Sequence, residues 1–368
     1  LITNQYSVVA ATHRMVSGVD SYILLAIPFF ILAAQLMNTG GITKRLFRFA
    51  SALGGHIPGG LAHANVLASV IFSGMSGSAV ADAGGLGQIE LQAMDEEGFP
   101  TDFSAAVTVA SATVGPIIPP SIPMVVYAAA AEVSVGTMFI GGIIPGLILS
   151  ASLMVYIYFV SKKRHYPRRE KFSWRELWNS FKDAFLSLLT PVLIIGGILG
   201  GWYTPTEAAV IATVYAFTLG FIVYREISVK ELINMIITTV KTTATTVVII
   251  GAANAFAWGI ALENIPVKVT EYLTSVTTNP YVVVLLLNII FLILGCFMES
   301  LSVLLIVTPF LLPLMKTFGL SPIHMGIVLV LNLMIGLSTP PVGMSLFVVA
   351  KLAKLRLTQM YKAILPFL

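Results

Sequence analysis

Apolar residues run along this chain in blocks long enough to cross a lipid bilayer. Seven such stretches cover 21–38, 103–130, 137–160, 183–201, 204–224, 242–261 and 321–350. Because about 20 helical residues span the roughly 30 Å of bilayer hydrocarbon, the pattern predicts an all-α polytopic membrane protein. Two further apolar regions, 61–94 and 282–315, are each interrupted near the middle by small or polar residues.

The two interrupted regions predict helical hairpins that enter and leave the membrane on the same side. Glycine and small polar residues follow Gly74 in the first region, and 295–300 interrupts the second. Arms of about 13 residues would reach only about 20 Å. Irregular backbone is tolerated at membrane depth when it is buried in protein or lines a water-filled cavity, so we interpret both regions as re-entrant hairpins.

The hairpins belong to an internal repeat with a period of 221 residues. Residues 74–120 align on 295–341 without a gap, which matches Gly74, Gly98, Gly115 and Pro119-Pro120 with Gly295, Gly319, Gly336 and Pro340-Pro341. A double proline breaks a helix, because each Pro removes a hydrogen bond and clashes with the preceding turn. Broken helices at corresponding places in two halves point to a transporter binding site. A chance match of Gly and Pro is the alternative.

The basic residues set the predicted orientation. Of 21 Lys and Arg, 16 lie within 44–48, 162–182, 225–230 and 351–356. All four clusters fall on one side only if both hairpins are re-entrant, and the positive-inside rule makes that side cytoplasmic. Five crossings then separate Gly98 from Gly319, so the repeats are predicted to be inverted.

Composition supports a membrane protein and argues against other classes. Hydrophobic residues make up 57% and charged residues 10% of the chain, and the mean hydropathy is +0.91, far from the values of soluble domains. The net charge of +4 resides mainly in membrane-flanking loops, which argues against a nucleic-acid partner. The single Cys296 excludes an internal disulfide. Because both ends are apolar, we expect further helices beyond them.

Capping patterns predict several helix starts. Ser173/Glu176, Thr204/Glu207 and Ser228/Glu231 have capping-box spacing. The stretch 169–182 predicts a basic amphipathic helix on the cytoplasmic surface.

Oxygen chemistry is concentrated at the helix breaks and the hairpin tips. A broken helix frees carbonyl groups at the negative end of its dipole, and carbonyls with Ser or Thr hydroxyls are hard ligands suited to Na⁺. A helix N-terminus at a hairpin tip favours an anion. Asp82, Glu90 and Glu299 lie at membrane depth, where acidic residues are functional or paired. Glu299 aligns with Ser78, so the two tips differ chemically. Satisfied proline kinks and close packing of small residues are the alternatives.

Several stretches together resemble a known family. They are Ser76-Gly-Ser-Ala-Val-Ala-Asp82, the breaks at 115–121 and 336–343, and Gly200-Gly-Trp-Tyr-Thr-Pro-Thr-Glu-Ala-Ala209. Each stretch is weak alone, but the combination is specific and covers nearly the whole chain. It resembles the large, DctM-like membrane subunit of tripartite ATP-independent periplasmic (TRAP) transporters.

The resemblance implies a function, partners and site residues. It implies a Na⁺-driven importer of small carboxylates, which is not an enzyme, in the bacterial inner membrane. Dicarboxylates, sialic acids and other sugar acids all remain open as the substrate. The implied mechanism is an elevator movement, and the implied partners are a small four-helix membrane subunit and a soluble periplasmic binding protein. One Na⁺ site would include Ser73, Ser76, Gly77, Gly115, Ile117 and Pro120, and the other Gly295, Glu299, Gly336, Thr339 and Val342. The substrate contacts would be Ser76, Ser78, Asp82, Ser121, Ser300 and Asn332.

These interpretations divide the chain into six parts. They are N-terminal helices of the first repeat (1–60), a first transport half (61–135), a scaffold (136–240), helices of the second repeat (241–281), a second transport half (282–350) and the start of a C-terminal segment (351–368). We expect 161–240 to contact the small subunit. Two alternatives remain at this point: a stand-alone carboxylate or anion exchanger of related fold, and an intramembrane serine protease using Ser76 with His324 as base.

Overall fold

A computed structural model describes residues 8–168 and 172–368, apart from the side chains of Gly74, Met75 and Ser76. Over these ranges the chain forms helices connected by short turns and contains no β-strand. The helices before the first break are α1 (Val8–Ser17), α2 (Ala26–Thr39), α3 (Ile42–Gly54), α4 (Gly60–Ser76), α5 (Ala79–Gly84), α6 (Leu86–Glu96) and α7 (Thr101–Ala112). A 3₁₀ turn, Tyr22–Leu25, leads into α2.

The helices that follow include the longest ones in the structure. They are α8 (Ile122–Ala131), α9 (Val135–Arg164), α10 (Trp174–Leu199), α11 (Pro205–Phe217), α12 (Val229–Leu262), α13 (Ile265–Val276), α14 (Pro280–Phe297), α15 (Ser300–Phe318), α16 (Pro322–Leu337), α17 (Met344–Leu352) and α18 (Leu357–Ile364). A π-helical turn, Thr218–Val223, extends α11, and a 3₁₀ turn, Leu365–Phe367, follows α18.

Seven segments of the described residues are long and apolar enough to cross a membrane. They are α2 with its preceding turn, α9, α10, α11 with its following turn, α12, α14 and α15. Helices α8 and α16 are shorter but also apolar, as is α4. The prediction of an all-helical polytopic membrane protein is therefore confirmed.

The two halves repeat the same order of elements. In the first half, α4, a tip, α5 with α6, a turn, α7, a break and α8 follow one another. In the second half, α14, a tip, α15, a turn, α16, a break and α17 do the same. The matched turn residues Gly98 and Gly319 both have left-handed backbone angles, with φ of +83° and +65°, and both double prolines are cis. The predicted broken helices are confirmed, since residues 113–121 and 338–343 separate the helices on either side.

The halves pack across one another. Helix α8 of the first half packs on α15 and α16 of the second, and α17 of the second half packs on α5 and α7 of the first. The Tyr127 ring fills the space that Gly326 leaves on α16, and its hydroxyl donates to the Pro322 carbonyl at 2.7 Å. A side chain at position 326 would collide with this ring, so glycine permits the contact between α8 and α16.

Helices α2, α3 and α10 to α12 pack around the two halves. Helix α2 packs on α11 and α12, and α3 packs on α4 and α10. Ion pairs connect α3 to its neighbours: Arg45 contacts Glu226 at 2.7 Å and Asp183 at 3.5 Å, while Arg48 contacts Glu176 at 3.1 Å. These pairs are partly exposed, so they contribute to orientation more than to stability.

The structure differs from the predicted elements at several helix boundaries. The arms α4, α14 and α15 contain 17, 18 and 19 residues, so the expectation of arms of about 13 residues was wrong. Helical hydrogen bonding continues through the glycines near each tip, which confines the tips to residues 77–78 and 298–299. Because arm length no longer decides the matter, re-entrance of the hairpins stays a prediction.

The predicted surface helix at 169–182 is not separate in the described residues. Residues 169–171 lie outside the described part, and from Trp174 onward the segment is the first part of α10. No helix breaker separates the polar start from the apolar remainder. Ser173 accepts a hydrogen bond from the Glu176 amide, but the Glu176 carboxylate pairs with Arg48, so only half of this predicted capping box forms. Both other predicted boxes are confirmed, at Thr204 and Ser228. The predicted boundary between 240 and 241 falls inside α12.

Candidate functional site

A cavity of about 370 Å³ lies where the two hairpin tips and the two helix breaks meet. The first tip and the start of α5 contribute residues 77–81, and the second tip and the start of α15 contribute 299–301. Pro116, Ile122, Leu337 and Met344 line it from the breaks and their flanking helices, and α2 and α12 close the remaining side. Its volume lies within the range of small-molecule sites.

The backbone of the first tip contacts the first break directly. The Ile122 amide donates to the Gly77 carbonyl at 3.3 Å. Gly77 has a φ of +62°, and a Cβ at this position would lie 2.7 Å from the Pro120 carbonyl oxygen. Both the left-handed conformation and the close backbone therefore require glycine here.

The last turn of α14, just before the second tip, contacts the second break in a related way. The Gly343 amide donates to the Cys296 carbonyl at 3.4 Å, and Gly343 matches Ile122 in the 221-residue repeat. Close by, a Cβ on Gly336 would lie 2.5 Å from the Gly295 carbonyl carbon, so the backbones of α14 and α16 touch. In each half, backbone contacts that small residues permit thus hold the hairpin against the break: at the tip in the first half, and in the last turn of α14 in the second.

Each second arm begins with a side-chain cap at the same repeat position. The Ser78 hydroxyl accepts from the Ala81 amide at 3.4 Å. The Glu299 carboxylate accepts from the Ser302 amide at 2.9 Å, and Ser302 matches Ala81. The caps are equivalent in geometry and differ in charge, because a neutral hydroxyl at one tip is replaced by a carboxylate at the other.

The structure brings together only some of the residues expected at the first Na⁺ site. Gly77 at the tip contacts Pro120 in the break. Ile117 lies in the same break, between the end of α7 and Pro120, and is fully buried. The Ser73 hydroxyl donates to the Val70 carbonyl at 2.6 Å, within its own helix. The Ser76 side chain lies outside the described residues. A Cβ on Gly115 would overlap the Asp82 carboxylate, which places that carboxylate against the end of α7.

The residues expected at the second Na⁺ site surround the second break. Gly295 and Gly336 are in backbone contact, and Glu299 caps α15 at the cavity. The Thr339 hydroxyl donates to the Ile335 carbonyl at 2.7 Å, beyond the last turn of α16. Val342 is 37% exposed at the outer edge of the break.

Only some of the predicted substrate residues line the cavity. Ser78 and Ser300 do, and the buried Ser300 hydroxyl has no hydrogen-bond partner among the described residues. Ser121 instead caps α8 by accepting from the Met124 amide, while its hydroxyl donates to the Pro116 carbonyl. Asn332 donates to Asn288 on α14 at 2.7 Å. Asp82 lies behind the tip, against Gly115. These last three are not among the cavity-lining residues.

The structure adds four polar residues to the cavity that sequence reasoning missed. Gln35 and Asn38 lie on α2, and Thr242 and Thr246 lie on α12. Spacings of three and four residues place each pair on one helix face, and polar pairs of this kind within apolar helices are the signal that could have revealed them.

A further polar group lies behind the first hairpin. The Asn65 amide donates to the Thr108 hydroxyl at 2.9 Å and accepts from the Ser111 hydroxyl at 2.6 Å, which joins α4 to α7. Glu90 on α6 is 1% exposed and interacts with Thr108. Asn65, Thr108 and Ser111 are hydrogen-bonded to one another, whereas the buried Oε1 of Glu90 has no hydrogen-bond partner among the described residues. None of these four residues lines the cavity.

Comparison with known proteins agrees with this architecture. The family model of the tripartite ATP-independent periplasmic transporter, DctM component, matches residues 1–368. The sialic acid TRAP transporter large permease protein SiaM of Vibrio cholerae is 45% identical over 368 residues, which are 100% of this chain and 86% of that protein. The sialic acid TRAP transporter permease protein SiaT of Haemophilus influenzae is 44% identical over 359 residues, which are 98% of this chain and 58% of that protein.

A relative with a different substrate and a solved structure complete the comparison. The C4-dicarboxylate TRAP transporter large permease protein DctM of Pseudomonas aeruginosa is 42% identical over 349 residues, which are 95% of this chain and 82% of that protein. The crystal structure of the Alcanivorax borkumensis YdaH transporter, with an unusual topology, aligns with a TM-score of 0.71 at 15% identity. It covers 97% of this chain and 84% of that one, and it supports the fold alone.

The seven apolar spans and these relatives identify a multi-pass protein of the bacterial inner membrane and a subunit of a secondary transporter. The chain belongs to the DctM family, the large permease component of tripartite ATP-independent periplasmic transporters.

Proposed function

We propose that this chain forms the transport pathway of a Na⁺-coupled importer of small carboxylates, with sialic acid as the substrate to test first. One observation carries the proposal: the cavity contains the Glu299 carboxylate and has no Lys, Arg or His among its described lining residues. An anionic substrate entering this cavity would face an unfavourable charge unless a cation enters with it.

The donor groups around the breaks fit Na⁺. Backbone carbonyls of interrupted helices, the Thr339 hydroxyl and the Glu299 carboxylate are all oxygen ligands, which hard cations prefer. A Na⁺ ion held between tip and break would balance the charge of Glu299 and the substrate and would reinforce the backbone contacts already present there.

The N-terminal ends of two helices favour the substrate carboxylate. Helix α15 begins at the second tip and α8 begins at the first break, and residues from both starts line the cavity. The positive end of a helix dipole stabilises a negative group placed within its first turn. In this proposal the Ser300 hydroxyl, buried at the start of α15, donates to the substrate.

The choice of substrate and partners rests on the relatives. The relatives at 45% and 44% identity are named as sialic acid transporters, and the family is tripartite. We therefore propose that a periplasmic binding protein delivers the substrate and that a small membrane subunit packs against 161–240, while the hairpin regions move as an elevator. A transporter role is supported over the intramembrane protease alternative, because these relatives are permeases.

Uptake by the complete system tests this function. Proteoliposomes containing the chain with its small subunit and binding protein should take up labelled sialic acid only with Na⁺ outside, with a Hill coefficient above one for Na⁺. Thr339→Ala should raise the Na⁺ concentration for half-maximal uptake more than it lowers expression. Uptake that persists in choline and follows the proton gradient would contradict Na⁺ coupling. Uptake without any soluble protein would instead favour a stand-alone exchanger.

A further inference from the structure

We infer that Gln35, Asn38, Thr242 and Thr246 form a wall that recognises hydroxyl groups of the substrate, so that the protein selects polyhydroxylated acids over plain carboxylates. The inference rests on the proposed function, since it assigns a substrate class to the same cavity. It adds a specificity element on α2 and α12, outside the hairpins themselves. We call these four side chains the polar wall.

The polar wall is a fixed arrangement of two packed helices. The Gln35 amide nitrogen donates to the Thr239 hydroxyl at 3.2 Å, which holds the side chain between α2 and α12. Thr239 lies one turn before Thr242 on the same face of α12. Gln35 and Thr239 therefore set the spacing of the wall before any ligand enters, which reduces the entropy lost on binding.

The chemistry of the wall suits hydroxyl groups. Thr242 is exposed at the cavity, so its hydroxyl can both donate and accept. The Thr246 hydroxyl donates to the Thr242 carbonyl at 3.0 Å and keeps its lone pairs for a donor on the ligand. Amides and hydroxyls are neutral, so they add no charge to bind a second carboxylate, whereas they match the donors and acceptors of a sugar-like ring.

The wall and the tips thus divide recognition between them. The tip side of the cavity carries Glu299, Ser300 and the start of α15, which suit a carboxylate together with a cation. The lining residues from α2 and α12 are all neutral, either polar or apolar. Sites built to bind a substrate hydroxyl discriminate strongly against analogues that lack it, because their own polar groups are then left unpaired.

Among the four residues of the polar wall, Thr242 is the best position at which to test hydroxyl recognition by substitution. Asn38 also accepts from the Thr43 hydroxyl and packs on Gly85, so changing it would disturb the hairpin contact. Thr242→Val keeps the shape and removes the hydroxyl, while Thr242→Ser keeps the hydroxyl. Thr245 provides a matched control, because it is exposed on α12 but is not among the cavity-lining residues, and its hydroxyl donates to the Lys241 carbonyl at 3.0 Å.

Equilibrium binding to the purified chain with its small subunit, in Na⁺, measures the effect without the binding protein. We expect Thr242→Val to raise the Kd of labelled sialic acid about five- to tenfold, as for loss of one hydrogen bond. Thr242→Ser should restore a near wild-type Kd, and Thr245→Val should leave it within about twofold. Cyclohexanecarboxylate, a ring acid without hydroxyls, should compete equally well in wild type and Thr242→Val.

Two results would overturn the inference. One is an unchanged Kd for sialic acid in Thr242→Val, Thr246→Val and Gln35→Leu while wild-type binding requires Na⁺, which leaves the proposed function intact. The other is wild-type binding of cyclohexanecarboxylate as tight as that of sialic acid. Binding and uptake that do not depend on the Na⁺ concentration would contradict the proposed function, whatever the variants show.

Discussion

The two helix breaks occupy matching positions in the repeat and yet lie in different surroundings. Every residue from 103 to 128 is buried, so the first break lies in the centre of the protein. In the second break, Thr339 and Pro340 are partly exposed, and Pro341 and Val342 are exposed. A shared sequence pattern has therefore produced one break enclosed by protein and one open at the edge.

The residues around the breaks differ accordingly. Ser121 caps α8 and bonds back to Pro116, whereas the matching residue, Val342, has no group for a cap. At the tips, Gly77 has a left-handed backbone, while the matching Met298 is extended with a φ of −121°. The first half is thus fixed by specific local geometry, and the second carries the charged cap Glu299. We expect substitutions in the first half to affect structure and those in the second to affect ion coupling.

The largest expected effect concerns the orientation of the two halves. Glu96 and Thr317 match in the repeat, and both are exposed beside the turn glycines. If the halves are inverted, a membrane-impermeant maleimide should label Thr317→Cys from outside and Glu96→Cys only after permeabilisation, in a Cys296→Ser background. Cysteines at 165 and 268 provide references for the cytoplasmic and outer faces. Labelling of both test positions from one face would exclude inversion.

Gly77→Ala should reduce uptake roughly hundredfold, because the tip must move away from the Pro120 carbonyl and lose its alignment with the break. Gly98→Ala is the matched control: its φ is +83°, but there is nothing within 4 Å of the added carbon. It should keep uptake within about threefold. Met298→Ala at the second tip should also be tolerated, and equal losses in Gly77→Ala and Met298→Ala would remove the contrast between the tips.

Glu299→Gln should raise the Na⁺ concentration for half-maximal uptake about tenfold. The Gln oxygen can still accept from the Ser302 amide, so the substitution removes charge and retains the cap. Glu271→Gln, exposed on α13, controls for a general loss of negative charge. If Glu299→Gln lowered maximal uptake without changing the Na⁺ dependence, Glu299 would be a cap and nothing more.

Ser121→Ala should lower the free energy of unfolding by about 1–2 kcal/mol, because it removes a helix cap and leaves the buried Pro116 carbonyl without its donor. Val342→Ala should cost less than about 0.5 kcal/mol at its exposed site. Denaturant unfolding of the detergent-solubilised complex measures both. Similar losses would show that the two breaks contribute equally to stability.

Features set by local stereochemistry could be predicted from the sequence. The double prolines, the turn glycines Gly98 and Gly319, and the capping boxes at Thr204 and Ser228 each restrict the backbone within a few residues. Their pattern was enough to predict the repeat and the breaks. The tips were shorter than predicted, because α4 and α14 continue as helices to Ser76 and Phe297.

Features set by distant contacts could not be predicted. The Ser173 box stays half-formed because Glu176 pairs with Arg48, which is 128 residues away along the chain. The sequence indicated that Asp82 and Asn332 lie at membrane depth, but not which neighbour each contacts. Asp82 lies against Gly115 and Asn332 bonds to Asn288, and neither lines the cavity. Gln35 and Thr242 were missed because their importance arises only where α2 and α12 meet the tips.

The packing of α8 on α15 and α16 also bears on how the protein is made. The Tyr127 face of α8 has its partner, Pro322 and Gly326, almost 200 residues later in the chain. At typical rates of bacterial synthesis, roughly 10 s or more passes before that partner leaves the ribosome. Until then the face of α8 that carries Tyr127 lacks its partner from the second half. Synthesis of the second half therefore also completes the packing of the first half.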